Sequence, residues 1–462
     1  MHIVKYDKAF SRRHVLEGMG KSALFGGMLA PLWDVIARDG DISKAYPDEA
    51  MSIELMSGGA VKPGGMIDAS NVESVRHLMD PITFIQISQQ GRVVKMAEKT
   101  TTDIYKLNPR PYVDATLRNR HKALLDAKGN VIVAGKKPWI GGNPFPDGGS
   151  AHEILAGHVL SWGRHDASCY PIKEWDMKAG GEQEFHYHYL FVEVMAVGRT
   201  VLEPKPYMTD QLDRLRYHTI LVTAPSGNLR GVSLVNHWPY DQTKFPDFFG
   251  YLPSFKRIRR FPTNQRFEPI VPGSTVFPTD AWMTGDPFLT WGNFKLKGAV
   301  PWLGGTSGSW NAKADNWEHK RVGGTNGKKF FQSTFELIPE VYAVDLEPVY
   351  YPRAPYAKKR VWFDARTMTP LAMVAFNRKG EVWKSFEAGT CLYQLEDGTQ
   401  WPEKGDPYWS WTYGHSHDVD NDRISIFEQA EHVDGGFHVR VDDPKLYEQF
   451  CTIPAVRRLG SG

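Results

Sequence analysis

The sixteen residues from 361 to 376 read VWFDARTMTPLAMVAF, and this stretch decides the fold. Two runs of β-forming residues flank a turn, which Asp364 opens and Pro370 closes. A second turn follows at residues 377–380 (NRKG) and leads into Val382 and Trp383. Successive strands joined by such short turns pair antiparallel, so the sequence predicts a β-meander in this region.

Runs with the same two-residue period occur from about residue 183 onward. They cover residues 184–194, 217–223, 231–237, 329–337, 341–351 and 360–364. Alternation of this kind indicates strands with one face toward a core. An antiparallel sheet with this many strands curls, and we therefore expect a barrel or a half-barrel over residues 181–462.

Residues 46–180 lack that period, and we expect them to form a helical and irregular part of the same fold. Ser70 with Glu73, and Ser150 with Glu153, have the spacing of capping boxes and predict two short helices. After the second box, apolar residues and a histidine recur on one helix face: Ile154, Leu155, His158, Val159 and Trp162. The loop before it, GGNPFP at residues 141–146, cannot continue a helix.

The N-terminal segment predicts export by the twin-arginine route. Residues 11–17 read SRRHVLE, with Arg12 and Arg13 at the centre, and an apolar stretch follows at residues 23–33. A basic region followed by an apolar one is the pattern of an export signal. We expect a signal over residues 1–37, with cleavage as late as 45, and a soluble periplasmic product. An amphipathic surface helix is the alternative.

Composition and charge exclude several classes of protein. The chain has 462 residues, a formal charge of +2 and 41% hydrophobic residues. Loss of residues 1–37 would remove five basic and three acidic residues, leaving a nearly neutral chain that is unlike a nucleic-acid binder. The three cysteines, Cys169, Cys391 and Cys451, allow at most one disulfide. None of them lies near the predicted cleavage points, so we expect no lipidation there.

Several motifs together resemble a known family. They are the GNPFP loop at 142–146, the basic stretch LPSFKRIRRF at 252–261, and the segment from Asp280 to Lys297 that contains Trp291. In this order they are similar to the periplasmic family of domain of unknown function 1329. The D-x-x-T-x-x-P-L turn that begins at Asp364 also resembles the hairpins of Lol-type lipoprotein-sorting proteins.

The resemblance implies a mainly β (α+β) fold, a large unclosed antiparallel β-barrel with helices covering its concave face. It also implies a carrier or adaptor for a lipophilic molecule such as a lipid or steroid. The implied partners are an RND-type inner-membrane transporter and an outer-membrane β-barrel protein. The chain departs from the family at Gly163, because family members usually carry Asn after the residue that matches Trp162.

Candidate ligand-binding residues are the aromatic and apolar positions on one face of the predicted strands, since large rings line apolar cavities as well as cores. They are Phe185, Tyr187, Tyr189, Tyr342, Val344, Leu346, Trp362, Met373 and Trp383. A basic strip, Lys256, Arg257, Arg259 and Arg260, is a candidate docking surface for a partner or an anionic head group. A solvated edge strand protected by its charge is an equal alternative.

Two histidine pairs are weak metal candidates. His186 and His188, and likewise His415 and His417, lie two apart on predicted strands, so each pair points to one face. Imidazoles are good ligands for Zn, Cu or Ni, but each pair lacks a decisive third ligand. We therefore expect no cofactor and no catalytic residue, and motifs for nucleotide binding or for nucleophilic catalysis are absent from the sequence.

Three functions remain open on the sequence alone. The first is a periplasmic carrier or adaptor for a hydrophobic molecule, which needs no catalytic group because burial itself supplies affinity. The second is a metal-dependent periplasmic enzyme that uses the histidine pairs. The third is a structural adaptor that bridges a transporter and an outer-membrane protein and binds no small molecule.

Overall fold

A computed structural model describes residues 32–262, 266–284, 287–395 and 397–461. Arg12 and Arg13 lie outside the described residues. Among the described helices, none is long and apolar enough to cross a membrane. The α-helices are α1 (Leu32–Asp39), α2 (Ile53–Met56), α3 (Pro81–Gln90), α4 (Arg110–Asn119), α5 (Ala151–Ser161) and α6 (Ile453–Ser461). Shorter 3-10 turns lie at Ile42–Ala45, Asp48–Met51, Val72–Leu78, Ile104–Lys106, Ala134–Lys136, Ala179–Gly181, Pro253–Phe255, Phe288–Thr290 and Asp315–Trp317, and a π-helical turn at Tyr447–Cys451.

The strands make one large sheet and three small pairs. They are β1 (Met66–Ile67), β2 (Val94–Met96), β3 (Leu124–Leu125), β4 (Val131–Ile132), β5 (Ala167–Met177), β6 (Gln183–Met195), β7 (Arg214–Ala224), β8 (Ser233–Pro239), β9 (Asp247–Leu252), β10 (Arg257–Arg260), β11 (Gly292–Gly304), β12 (Arg321–Val322), β13 (Phe330–Phe331), β14 (Thr334–Glu347), β15 (Tyr356–Asp364), β16 (Pro370–Asn377), β17 (Val382–Leu392), β18 (Trp409–Asp418), β19 (Arg423–Gln429), β20 (His432–Val433), β21 (Phe437–His438) and β22 (Arg440–Val441). The sheet has 16 strands in the order β1-β2-β14-β15-β16-β17-β18-β19-β5-β6-β7-β8-β9-β10, with β11 beside β14 and β22 beside β5.

The sheet is antiparallel except where β14 meets β2, and it does not close into a barrel. Its terminal strand β10 pairs with β9, while β11 pairs with β14 at the other side. Strand β5 lies in the middle, because Ile172 pairs with Gln429 on one side and with Tyr189 on the other. The predicted fold class, an unclosed antiparallel β-barrel with helices, is confirmed.

The hairpin that opened the sequence argument is confirmed as β15 and β16. The N–H of Met368 donates to the carbonyl of Asp364 at 2.7 Å, and the N–H of Asp364 donates to the carbonyl of Thr369 at 3.0 Å. In the next turn, the Asn377 Oδ1 accepts from the N–H of Lys379 at 2.9 Å. Gly380 has a φ of 80°, a backbone conformation that glycine adopts without strain.

Three local predictions differ from the structure. The strands predicted at 329–337 and 341–351 are the short β13 and the long β14, which passes through Pro339 at an irregular part of its pairing with β11. Strand β5 lies within the part predicted to be helical and irregular. Ser70 bonds Asp68 instead of capping a helix, and a 3-10 turn follows. The capping box at Ser150 is confirmed at the start of α5.

The two faces of the sheet are covered by different elements. We call inner the face that carries Tyr170, Ile172 and Glu174 of β5, and outer the face that carries Cys169 and Trp175. Helix α5 packs on the inner face within the largest core cluster. Helix α3 covers the outer face at β17 and β18, and the C-terminal residues 446–451 cover it at β5 to β7. The three cysteines are buried and free.

Helix α1 belongs to the packed body of the protein. Its Trp33, Val35 and Ile36 are at most 3% exposed and pack in one cluster with Tyr112 and Val113 of α4. The predicted cleavage point at residue 37 therefore falls inside a packed helix. The position of cleavage stays a prediction.

Candidate functional site

A cavity lies on the inner face, between the sheet and the elements that cover it. Its atom-free space is about 1180 Å³, counted to the open mouth. Pairing of Ile172 with Tyr189, and of Tyr170 with Phe191, places these four side chains on one face of β5 and β6. The lining is mostly aromatic and aliphatic: Trp162, Tyr170, Ile172, Tyr189, Phe191, Ile220, Ile270, Val276, Ala281, Met283, Pro370, Phe386, Ala388, Trp409, Trp411 and Phe427.

Helix α5 closes one side of the cavity. Ser150 and Glu153 cap its first turn reciprocally, which satisfies backbone donors that a helix start leaves free. Its C-terminal side brings His158 and Trp162 to the cavity wall. Gly163 follows at a φ of 70°, a left-handed conformation that glycine and asparagine tolerate best. The Gly found here in place of the family's Asn therefore suits the same backbone.

The GNPFP loop positions α5. The Asn143 side chain accepts the N–H of Phe145 at 2.9 Å, and the N–H of Asn143 donates to the hydroxyl of Thr116 in α4 at 2.9 Å. A side chain at Gly142 would meet the backbone of Thr116 at 2.4 Å, and one at Gly157 would meet Asn143 at 2.9 Å. Gly142 is needed because two backbones approach closely there, whereas Gly157 leaves room for the side chain of Asn143.

The segment 266–284 covers the cavity and is held down by a buried charge cluster. The Asp280 carboxylate lies 2.6 Å from the Lys384 ammonium and 3.0 Å from that of Lys359, and it accepts the Tyr356 hydroxyl at 3.0 Å. Burial alone would raise the pKa of Asp280, but Lys384 and Lys359 outweigh it and hold that pKa below its usual value. The Thr275 hydroxyl adds a bond to the Ser416 carbonyl at 2.7 Å.

A few polar groups interrupt the apolar wall. The Glu193 carboxylate accepts the Trp162 indole N–H at 2.7 Å and the Tyr170 hydroxyl at 3.0 Å. Burial raises the pKa of Glu193, against the opposing charge of Arg216. Burial, followed by the charges of Arg164 and Arg216, lowers the pKa of His158 to about 3, so this histidine is neutral.

At one end of the cavity two acidic side chains lie together. Glu174 lines the wall and accepts the Tyr189 hydroxyl at 2.7 Å. Asp176 follows two residues later on the same face and bonds the Ser425 hydroxyl. Burial, and then the neighbouring Glu174, raise the pKa of Asp176 to about 9. Asp176 therefore holds a proton at neutral pH.

Only one of the nine predicted ligand-binding residues, Tyr189, lines this cavity. Phe185 and Tyr187 pack beside it in a small cluster with Val271. Five others lie in the main inner core, to which α5 and residues 276–284 and 287–291 also contribute: Tyr342, Val344, Leu346, Met373 and Trp383. Trp362 lies on the outer face, stacked on Trp302 at 4.6 Å between ring centroids.

The two histidine pairs are far apart. His415, Ile426, Trp175 and His186 pair in one row across four adjacent strands. Three strand spacings of about 4.8 Å separate the ends of that row by about 14 Å. Within the described ranges, no group of three or more His, Cys, Asp or Glu side chains is placed to hold a metal ion.

Each histidine pair has protein partners of its own. His186 and His188 bond each other at 3.1 Å, and the second nitrogen of His188 lies 3.2 Å from the Asp434 carboxylate. His417 bonds Gln86 at 3.1 Å and Asp422 at 3.0 Å. Burial lowers the pKa of His415 to about 4, aided by Arg92. Both pairs lie on the outer face, away from the cavity.

The basic strip forms a hairpin at the free edge of the sheet. Lys256 turns the chain in a left-handed conformation, and Arg257, Arg259 and Arg260 belong to the edge strand β10. Arg260 pairs with Asp247 at 2.6 Å, and Arg259 lies 4.9 Å above the exposed ring of Phe255.

Sequence reasoning missed most of the cavity wall. Pro171 interrupts the β pattern of β5, so the sequence did not predict this strand. In β18 the sequence pattern pointed only to His415 and His417. Glu193 and Arg164 carried no motif.

A model of the family described as a protein of unknown function, DUF1329, matches residues 66–452. No curated protein matches the chain.

Solved structures similar to this chain include three proteins. One is described as an outer membrane lipoprotein-sorting protein domain from Vibrio parahaemolyticus, with 14% identity, a TM-score of 0.43, and 67% of this chain and 98% of that chain covered. A DUF1329 family protein from Desulfovibrio piger has 12% identity, a TM-score of 0.41 and coverage of 66% and 97%. A LolA superfamily protein from Nitrosomonas europaea has 12% identity, a TM-score of 0.34 and coverage of 66% and 99%. The family match over residues 66–452 shows that this chain belongs to the DUF1329 family.

Proposed function

We propose that the protein is a carrier that holds one lipophilic molecule in the inner-face cavity. The observation that supports this most is the cavity itself, which opens between aromatic and aliphatic side chains. Ligand sites in proteins are typically concave and mostly apolar, with a few polar groups in the wall. Side chains of the same kinds pack closely in the neighbouring inner core.

The arrangement suits reversible binding. Burial of apolar surface stabilises a complex by about 25 cal/mol per Å² without any reacting group. The covering segment is tied to the sheet through Asp280, so the cavity exists before a ligand arrives. A preformed site loses little free energy to ordering. A carrier must also release its ligand, and we expect affinities of about micromolar order, or about −8 kcal/mol.

Binding of a neutral fluorescent probe, N-phenyl-1-naphthylamine, tests the proposal. The probe is expected to bind the purified protein with blue-shifted emission and a negative heat-capacity change. Ala388 lines the cavity from β17, so Ala388→Phe should occupy part of it and weaken binding at least about tenfold. Ala60→Phe is the matched control, because Ala60 is exposed in a distant loop.

Two results would contradict the carrier proposal. The first is a folded wild-type protein that leaves the probe unbound and carries no lipid when native mass spectrometry is run on freshly isolated material. That result would favour an adaptor that binds no small molecule. The second is equal loss of binding in the two Phe variants, which would place the probe outside the cavity.

We further propose export to the periplasm by the twin-arginine route, supported by residues 11–17. Changing Arg12 and Arg13 to Lys is expected to leave the protein in the cytoplasm, as cell fractionation would measure. Unchanged periplasmic accumulation would overturn this assignment. N-terminal sequencing of the exported chain would show whether cleavage at residue 37 or 45 removes the packed side chains of α1.

The proposed partners are an RND-type transporter and an outer-membrane β-barrel protein, supported by the family resemblance and by the basic strip. Lys256, Arg257 and Arg259 extend from an edge strand where a partner could contact them. Reversing these three charges to Glu should abolish cross-linking to such a transporter in cells. Reversal of Lys44, Lys62 and Lys136, which are exposed elsewhere, is the control.

A further inference from the structure

The cavity is elongated, and its two ends differ in charge. Its wall follows β5 from Ser168 to Glu174. Six residues at about 3.3 Å each give a length of about 20 Å. Trp409 and Arg164 lie at the Ser168 end, and the acidic pair of Glu174 and Asp176 lies at the other.

Arg164 is a buried cation with neutral hydrogen-bond acceptors. Its guanidinium lies 4.3 Å above the Trp409 ring and donates to the Asn108 side chain at 3.0 Å. The remaining donations go to the carbonyls of Ser161 and Thr367. Within the described part of the chain, none of these hydrogen bonds reaches a carboxylate.

The acidic side chain that acts electrostatically on Arg164, Asp364, already has another partner. Asp364 forms its ion pair with Arg366, at 2.7 Å. Arg164 carries five N–H groups, and a buried charge without a counter-ion is costly. The arginine therefore leaves the cavity wall with an uncompensated positive charge at one end.

The acidic end of the cavity disfavours an anionic group. The Glu174 and Asp176 side chains interact with each other, and Glu174 also accepts the Tyr189 hydroxyl. Such a pair repels anions. It can accept a hydrogen bond from a neutral hydroxyl or donate one to it.

We infer that the ligand of this cavity is an elongated apolar monoanion whose carboxylate pairs with Arg164 and whose apolar body lies along β5 toward Glu174. This inference rests on the proposed carrier function and names its substrate class. A bidentate pair with a carboxylate suits the planar guanidinium, and water exclusion strengthens it. A long-chain fatty acid and a carboxylated sterol share this chemistry and this shape.

The test compares an acid with its own ester on the full-length purified protein. Palmitate is expected to displace N-phenyl-1-naphthylamine at a concentration at least about tenfold lower than methyl palmitate, because a charge-assisted pair is lost in the ester. Cholate and methyl cholate form the second arm. A preference for acid in only one arm identifies the acyl or the sterol source.

Arg164→Gln should abolish the acid preference, so that palmitate and methyl palmitate displace the probe at similar concentrations. Arg321→Gln is the matched control, because Arg321 also lies over a tryptophan, 5.0 Å above Trp175, but on the outer face. The acid preference should persist in that control. The wild-type comparison needs no substitution, so it decides the question even if Arg164→Gln does not fold.

Failure of the inference differs from failure of the carrier proposal. If the probe and both esters bind but neither acid is preferred, the assigned ligand class is wrong and the carrier proposal stands. If the acid preference survives in Arg164→Gln, another group holds the anion and the inference is overturned. If nothing binds, both proposals fall.

Discussion

The two faces of strands β17 and β18 differ in how their side chains are surrounded. On the outer face, the Glu387 carboxylate receives two hydrogen bonds from Arg92 at 2.6 and 2.7 Å, and His417 bonds Gln86 of α3. On the inner face, Phe386 and Ala388 border open space. Because successive residues of a strand point to opposite faces, one strand can fasten the fold on one side and leave a binding space on the other.

The comparison teaches that polar and aromatic residues in a strand do not by themselves mark a functional site. The outer-face histidines have protein partners and packed rings around them. The inner-face aromatic side chains also pack on one another, but part of their surface borders the cavity. The outer face should therefore govern stability, and the inner face should govern ligand binding.

The largest expected effect comes from breaking the outer-face ion pair. Arg92→Met leaves the Glu387 carboxylate buried and unpaired, and it should lower the free energy of unfolding by about 3–5 kcal/mol. Urea denaturation measures the change. The double variant with Glu387→Gln should recover much of the loss, whereas Lys44→Met, at an exposed pair, should change it by less than about 1 kcal/mol. A small effect of Arg92→Met would show that this face does not depend on the pair.

Two phenylalanine-to-alanine substitutions, one on each face, compare the roles of the two faces. Phe331 is fully buried on the outer face beside Trp175 and His415, and Phe331→Ala should cost about 3–5 kcal/mol of stability without changing probe affinity in the folded fraction. Phe191 lines the cavity and is only partly buried. Phe191→Ala should cost about 1 kcal/mol of stability and weaken probe binding by about 1–3 kcal/mol. The opposite pattern would reverse the assigned roles of the faces.

A separate prediction concerns the pH dependence of stability. The raised pKa of Asp176, about 9, means that the folded state binds this proton more tightly than the unfolded state, whose Asp titrates near 4. Stability should therefore fall as pH rises from about 5 to 9, by at most about 1.4 kcal/mol per pH unit from this group. Asp176→Asn should flatten the slope, as measured by urea unfolding at pH 5, 7 and 9.

Glu387, the outer-face carboxylate, should contribute a different pH dependence of stability from that of Asp176. Burial would raise the pKa of Glu387, but Arg92 holds it well below its usual value. Its contribution to stability is present above the ordinary Glu pKa and is lost only as pH falls through the lowered one. Glu387→Gln should therefore leave the slope between pH 5 and 9 intact. An unchanged slope in Asp176→Asn would contradict the assignment of the inner-face proton.

Much of the local structure could be predicted because it depends on neighbours in the chain. The β15–β16 hairpin follows from Asp364 and the turn after it, and the start of α5 follows from Ser150 and Glu153. The predicted cap at Ser70 failed because Ser70 bonds the Asp68 side chain instead. Strand β5 was missed because its identity comes from pairing with β19, and no local pattern announces that.

The sequence predicted the type of site, an apolar surface rich in aromatic side chains, but not most of the residues that line the cavity. A two-residue period sorts side chains into two faces, so Tyr342, Val344 and Met373 were correctly placed together on one face. It does not reveal which part of that face a helix fills. Trp362 fell on the other face, since it pairs with Ala343 and Ala372.

The sequence by itself determined the turns, the strand-rich composition and the family resemblance, because these depend on residues close together along the chain. Only the tertiary structure decided that β5 joins β19, that His415 and His417 are enclosed by α3 and its surroundings, and that Arg164 borders a cavity. These features arise from contacts between residues that lie hundreds of positions apart. Such contacts depend on how whole elements pack, and packing is a property of three-dimensional shape that local patterns do not encode.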